Sequence, residues 1–161
     1  MSSPSTMSIA PARFPGDADA VRGLFAEYVE SLGIDLSFQD VNAELAGLPG
    51  KYAAPGGTIL LARDAARHPV ACVALRPLAQ AGQCEMKRLY VRPAARGHDL
   101  GRRLAQAIIS AARDAGYARL LLDTLAPMRS AQKLYAALGF REIAPYYENP
   151  VPGTMYMALD L

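Results

Sequence analysis

The chain has 161 residues, 52% of them hydrophobic, and its 17 Lys+Arg against 15 Asp+Glu leave a formal charge of +2. That length suits one domain with a core able to stand without a disulfide or a metal, and the near-neutral balance argues against a nucleic-acid partner. Two cysteines (Cys72, Cys84) and two histidines (His68, His98) without CxxC or HExxH spacing give no disulfide framework and no metal site, and no apolar run approaches the ~18 residues of a membrane span, so a cytoplasmic, metal-free protein is expected.

Residues 1–7 are rich in Ser, Thr and Pro and lack the basic and apolar regions of a signal peptide. They read as a disordered lead, with 8–161 as a single domain. Residues 7–13 alternate mildly and form a first strand, closed by Pro15-Gly16-Asp17. Apolar Ala18, Val21, Leu24, Phe25, Tyr28 and Leu32 recur at helical spacing, which predicts a helix over 18–32 with Asp17 as N-cap and Gly33 as stop. A shorter helix carries Val41, Leu45 and Leu48 as far as Pro49-Gly50, and 51–57 is a loop. Residues 58–62 and 70–75 are short apolar runs about a charged turn, as in an antiparallel hairpin.

The strand expected over 83–91 holds an irregularity. Cys84 and Met86 share one face, and so do Leu89 and Val91, yet the step from Met86 to Leu89 is odd. A β-bulge near Lys87-Arg88 lets both halves face one core. A helix follows over 100–115, with Leu100, Leu104, Ala107, Ile108, Ala111 and Ala115 on one side and Gly116 at its end. The apolar run at 119–122 suits an interior strand. A last helix is expected over 127–138, with Pro127 in its first turn and Gly139 as cap, then strands over 140–143 and 154–159. The order β-α-α-β-β-β-α-β-α-β-β describes a mixed α/β domain about one sheet.

The strongest functional signal is Val91-Arg92-Pro93-Ala94-Ala95-Arg96-Gly97-His98-Asp99-Leu100-Gly101-Arg102-Arg103. It runs from a strand through a basic, Gly-containing loop into a helix N-terminus, where backbone N–H groups suit phosphate oxygens. On these residues alone, an ordinary solvated turn fits equally well.

The segment from Arg96 to Gly101 resembles the R-x-x-G-x-G/A acetyl-CoA signature of the GNAT superfamily of N-acetyltransferases. Ala131-Gln132-Lys133-Leu134-Tyr135-Ala136-Ala137-Leu138-Gly139-Phe140 resembles that family's A-x-x-L-Y-x-x-x-G-F segment, and the element order agrees from about Ser8 onward. The resemblance implies the acyl-CoA N-acyltransferase fold, a mixed, mostly antiparallel sheet flanked by about four helices. It also implies acetyl-CoA as co-substrate and a small-molecule amine or a peptide as acceptor. Two positions depart from the pattern. Asp99 stands where the family prefers Gly, as a capping or outward-facing residue or as one that weakens cofactor binding. Met128 stands where many relatives carry Asn.

By the same resemblance, the cofactor site comprises the backbone of Leu89, Tyr90 and Val91 and the loop residues Arg96, Gly97, His98, Asp99, Leu100, Gly101 and Arg102. Glu85 is the candidate base, acting through water; apart from the resemblance it reads as a solvated carboxylate or a partner of Lys87 or Arg88. Tyr135 is the candidate acid for the leaving thiolate, a residue that spacing alone would leave as a packing tyrosine. Cys84 reads as a buried structural thiol. The acceptor side is expected to include Tyr52 and the tyrosine–proline loop with Tyr146 and Tyr147. That loop suits an amino-acid-like ligand, a stiff structural element or a homodimer contact. A non-catalytic acyl-CoA-binding sensor is the competing reading.

Overall fold

The computed structural model describes residues 7–33 and 40–161. The elements are β1 (Ser8–Pro11), α1 (Ala18–Leu32), α2 (Val41–Ala46), β2 (Thr58–Arg63), β3 (Pro69–Pro77), β4 (Gln83–Val91), α3 (Leu100–Asp114), β5 (Arg119–Thr124), α4 (Arg129–Ala137), β6 (Arg141–Ile143) and β7 (Met155–Asp160). Their order is the expected one. The lead expected to be disordered falls outside the described residues except for Met7, which corrects that expectation: it is buried and its carbonyl accepts a hydrogen bond from Arg103. Among the described residues no helix is long and apolar enough to cross a membrane.

One seven-stranded sheet runs β1-β2-β3-β4-β5-β7-β6. Every neighbouring pair is antiparallel except β4 and β5. Both faces are covered, which is why β3 is apolar without alternation. Its Val73 and Leu75 join Leu104 and Ile108 of α3 in one core, while Cys72 and Ala74 join Val21, Leu24 and Phe25 of α1 in the other. Gly57 allows close approach between the two: a Cβ there would stand 2.5 Å from the Leu75 carbonyl oxygen and 2.9 Å from the backbone of Tyr52.

The bulge lies where the odd spacing puts it. Cys72 pairs with Tyr90 and Ala74 with Lys87, so Val73 alone opposes Arg88 and Leu89. Arg88 takes a left-handed φ of 60°, a conformation costly for a bulky side chain. The phase slip brings Cys84, Met86, Leu89 and Val91 to the same core.

Three local expectations are corrected. Asp17 makes no side-chain cap on α1. Its carboxylate instead accepts from the Arg13 N–H and pairs with Arg63 of β2, each at 2.8 Å. The buried stripe of α3 is Leu100, Leu104, Ala105, Ile108, Ile109 and Ala112, turned from the expected face, so that Ala115 is exposed. Ile109 decides the rotation, because alanines occupy both faces. Finally, α4 begins at Arg129 and not at Pro127, because Met128, with ψ 58°, is not helical.

Candidate functional site

The parallel pairing of β4 and β5 ends at Glu85 opposite Leu121. Beyond that point the bulge carries β4 away and a slot opens between the strands. Its walls include Leu89, Leu122, Asp123, Met128 and Tyr135. Tyr135 projects from α4, with its ring 5.7 Å from that of Phe140. Its hydroxyl takes no partner among the described residues. Burial, reinforced by Tyr28 and Asp123, pushes its phenol well above the ordinary value, so it stays protonated across the neutral range. The hydroxyl of Thr124, the next buried residue along β5, is likewise unpartnered.

The loop between β4 and α3 follows the parted strand. Gly97 (φ 91°) and Asp99 (φ 57°) both take left-handed conformations. From Gly97 to Arg102 no backbone N–H has an acceptor among the described residues. The left-handed φ gives a reason for glycine at the Asp99 position, and Asp tolerates that conformation. Asp99 is outward-facing and not a side-chain cap: it is 66% exposed and lies 3.7 Å from Arg102. Asp99→Gly is therefore expected to change acetyl-CoA affinity by less than about fivefold, the worth of an exposed, screened charge. A larger gain in a calorimetric titration would show that the carboxylate opposes the phosphates.

The loop's arginines are not all available. Arg92 is held by Glu27 of α1 at 2.5–3.1 Å, and Arg103 bonds the Met7 carbonyl. Arg96 is exposed and Arg102 half-buried beside the arc. Tyr90 packs on the opposite face of the sheet from Leu89, so only its backbone can serve the slot. Half-buried His98 lines neither the slot nor the cavity described next.

A second hollow, of about 340 Å³, lies at the inner end, with walls that include Tyr52, Arg76, Glu85, Lys87, Arg88 and Tyr147. Lys87 and Arg88 line both it and the slot. Glu85 is buried, not solvated. Its carboxylate accepts from Arg76 Nε at 2.8 Å and from the Tyr146 hydroxyl, with Lys87 Nζ 3.8 Å away. Its hydrogen-bonded cation is thus Arg76 of the neighbouring strand, Lys87 is the expected ion-pair partner at a longer distance, and Arg88 pairs with Glu44 instead. Burial pulls the Lys87 ammonium below its usual range, against the opposing pull of Glu85.

Arg88 is committed elsewhere: its guanidinium gives hydrogen bonds of 3.0 and 3.2 Å to Glu44 of α2, which also accepts from the Tyr52 hydroxyl. Of the expected acceptor residues, Tyr52 and Tyr147 stand in the cavity wall. Tyr146 reaches Glu85 without lining the cavity, and the Tyr147 hydroxyl donates to Asp123. Sequence reasoning missed Arg76, Glu44 and Asp123, each in an unremarkable local context. Cys84 is inert, its thiol buried and pushed up to about 12. Among the described residues no group of three or more His, Cys, Asp or Glu could hold a metal.

Known proteins resemble this chain in sequence and in fold. The family described as Acetyltransferase (GNAT) matches residues 23–140. An uncharacterized N-acetyltransferase of Schizosaccharomyces pombe is 44% identical over 100% of this chain and 99% of its own length. The IAA acetyltransferase of Azospirillum brasilense is 37% identical over 57% of this chain and 61% of its own. Among solved structures, a GNAT acetyltransferase from Staphylococcus aureus superposes with a TM-score of 0.78 at 19% identity, covering 96% of this chain and 98% of that one. A GCN5-related N-acetyltransferase from Kribbella flavida does so at 0.75 and 25%, over 99% and 100%. With the parted strands, the N–H arc and these likenesses together, the chain belongs to the GNAT family of acetyltransferases.

Proposed function

We propose that the protein transfers the acetyl group of acetyl-CoA directly to a primary amine of a small molecule or peptide, with both substrates bound at once. The observation that carries this reading is the parting of β4 from β5. The loop that follows β4 holds an arc of N–H groups without acceptors among the described residues, and the slot between the strands shares Lys87 and Arg88 with a cavity that holds a buried carboxylate.

The residues fit the co-substrate. When bound, acetyl-CoA supplies an acetyl thioester. The N–H groups from Gly97 to Arg102, at the N-terminus of α3 and beside Arg96, receive phosphate oxygens. The backbone of Leu89, Tyr90 and Val91, no longer laddered to β5, offers an extended edge to amides. The Leu89 N–H donates to the acetyl oxygen as charge grows there. Tyr135 holds its proton at Oη for the departing sulfur. Alkyl amines are mostly protonated near neutral pH, so a base is required. Glu85 takes the amine proton through water. Arg76 and Tyr146 fix its carboxylate and leave lone pairs on both oxygens.

A thiol-release assay with acetyl-CoA across amines, polyamines, amino acids, aminoglycosides and peptides tests the reading. Amine-dependent thiol release is expected with at least one class. Tight acetyl-CoA binding without release from any acceptor would overturn it in favour of a non-catalytic sensor.

A further inference from the structure

We infer that the acceptor is an α-amino acid whose carboxylate is held by Arg76 and Lys87; this rests on the acetyl-transfer reading above. The cavity, about 340 Å³, is of small-molecule size. Its floor holds three ionisable side chains deep in the protein: Glu85 at 1% exposure, Lys87 at 10% and Arg76 at 24%. Arg88, the next cation in the wall, is already answered by Glu44. Within the cavity wall the floor therefore sets two cations against one carboxylate; Asp123 of the adjoining slot also attracts Lys87, but its carboxylate already accepts from the Tyr147 hydroxyl and from Asn149. Such a surplus is unfavourable in a desolvated place until an anion meets it. Asp40, Lys51 and Glu148 stand exposed at the rim, where water and salt screen them, so they do not balance the floor.

The unused donors have the form of a carboxylate site. Arg76 commits only Nε, and its two terminal nitrogens have no acceptor among the described residues. Two N–H groups in one plane match the two oxygens of a carboxylate. Lys87 Nζ, 3.8 Å from Glu85, is beyond hydrogen-bond distance and makes no hydrogen bond to a described residue. Because Lys87 lines both hollows, a carboxylate held between it and Arg76 sits at their junction. An amine on the adjoining carbon then lies at the mouth of the slot, on the side of Glu85. A polyamine or an aminoglycoside brings only further positive charge to this floor, and an amino-acid amide brings no anion.

The test compares initial rates of thiol release from acetyl-CoA for the common L-amino acids, their amides and their decarboxylated amines. The best acid is expected to exceed its own amide and amine by roughly 10- to 100-fold in kcat/KM, chiefly through KM, as loss of a charged hydrogen-bonded contact implies. Arg76→Gln and, separately, Lys87→Gln should each bring the acid-to-amide ratio towards one. Lys87→Gln leaves the Arg76–Glu85 pair intact and so guards against a folding defect. Amides or amines turned over as well as the acids overturn the carboxylate assignment and leave acetyl transfer standing. A ratio unmoved in both variants overturns the assignment of these two residues. Thiol release from none of the three series, with release from a peptide, polyamine or aminoglycoside, overturns the amino-acid assignment and leaves acetyl transfer standing. Release from no acceptor at all overturns both.

Discussion

Replacing Tyr135 by Phe is expected to lower turnover by about 100-fold, the lower range of what a positioned proton donor contributes, while the dissociation constant for acetyl-CoA stays within about twofold. The structure makes this substitution unusually clean. The ring packs against Phe140 and phenylalanine keeps that contact. The hydroxyl makes no protein hydrogen bond among the described residues, so its removal strands no buried partner and stability should hardly move. What is lost is one proton, held at Oη by a phenol that burial keeps protonated. A departing thiolate then leaves without a proton from Tyr135. Single-turnover acetyl transfer measures the effect without interference from product release, and calorimetry measures the binding. Equal single-turnover rates for the two proteins would remove Tyr135 from the chemistry.

The features that proved legible in the sequence are those written locally. The odd step between Met86 and Leu89 can bury both halves of β4 only if one residue is extra, so the bulge follows from alternation alone. Gly33, expected to stop α1, does so with a left-handed φ of 64°. The glycine-punctuated loop before α3 leaves a solvated turn equally open on its own residues, and only the family resemblance points to a phosphate site. The cavity beside the slot was legible only in part. Tyr52 and Tyr147 stand in its wall, but the pairs that build it join residues far apart in the chain. Glu44 and Arg88 are separated by 44 positions, and Glu85 and Tyr146 by 61. Nothing near Glu85 in sequence marks Arg76 as its partner, because the two meet across the β3–β4 register. Asp17 shows the same limit from the other side. A residue with every local mark of an N-cap turns to Arg63, an ion pair 46 positions away that the sequence does not announce.

Stability should depend most sharply on one such distant pair. Glu44→Ala is expected to cost about 3–5 kcal/mol, because it leaves a guanidinium uncompensated in the interior. For a chain of this size that corresponds to a fall of roughly 10 °C in Tm. Arg88 is only 3% exposed and Glu44 17%, so water reaches the cation poorly once its partner is gone. Two further losses act in the same direction. The Tyr52 hydroxyl loses its acceptor, and the left-handed Arg88, whose carbonyl accepts from the Cys72 thiol, loses the anchor of its side chain. Since Arg88 lines both slot and cavity, acetyl transfer should fall along with stability. The double variant Glu44→Leu/Arg88→Met separates charge from packing: with neither ion buried, most of the lost stability should return. Thermal and denaturant unfolding of the wild type and both variants provide the measurement. A Glu44→Ala protein within about 0.5 kcal/mol of wild type would show that the pair does not hold the bulge. A double variant no more stable than the single one would show that the loss comes from packing around α2 and not from an abandoned charge.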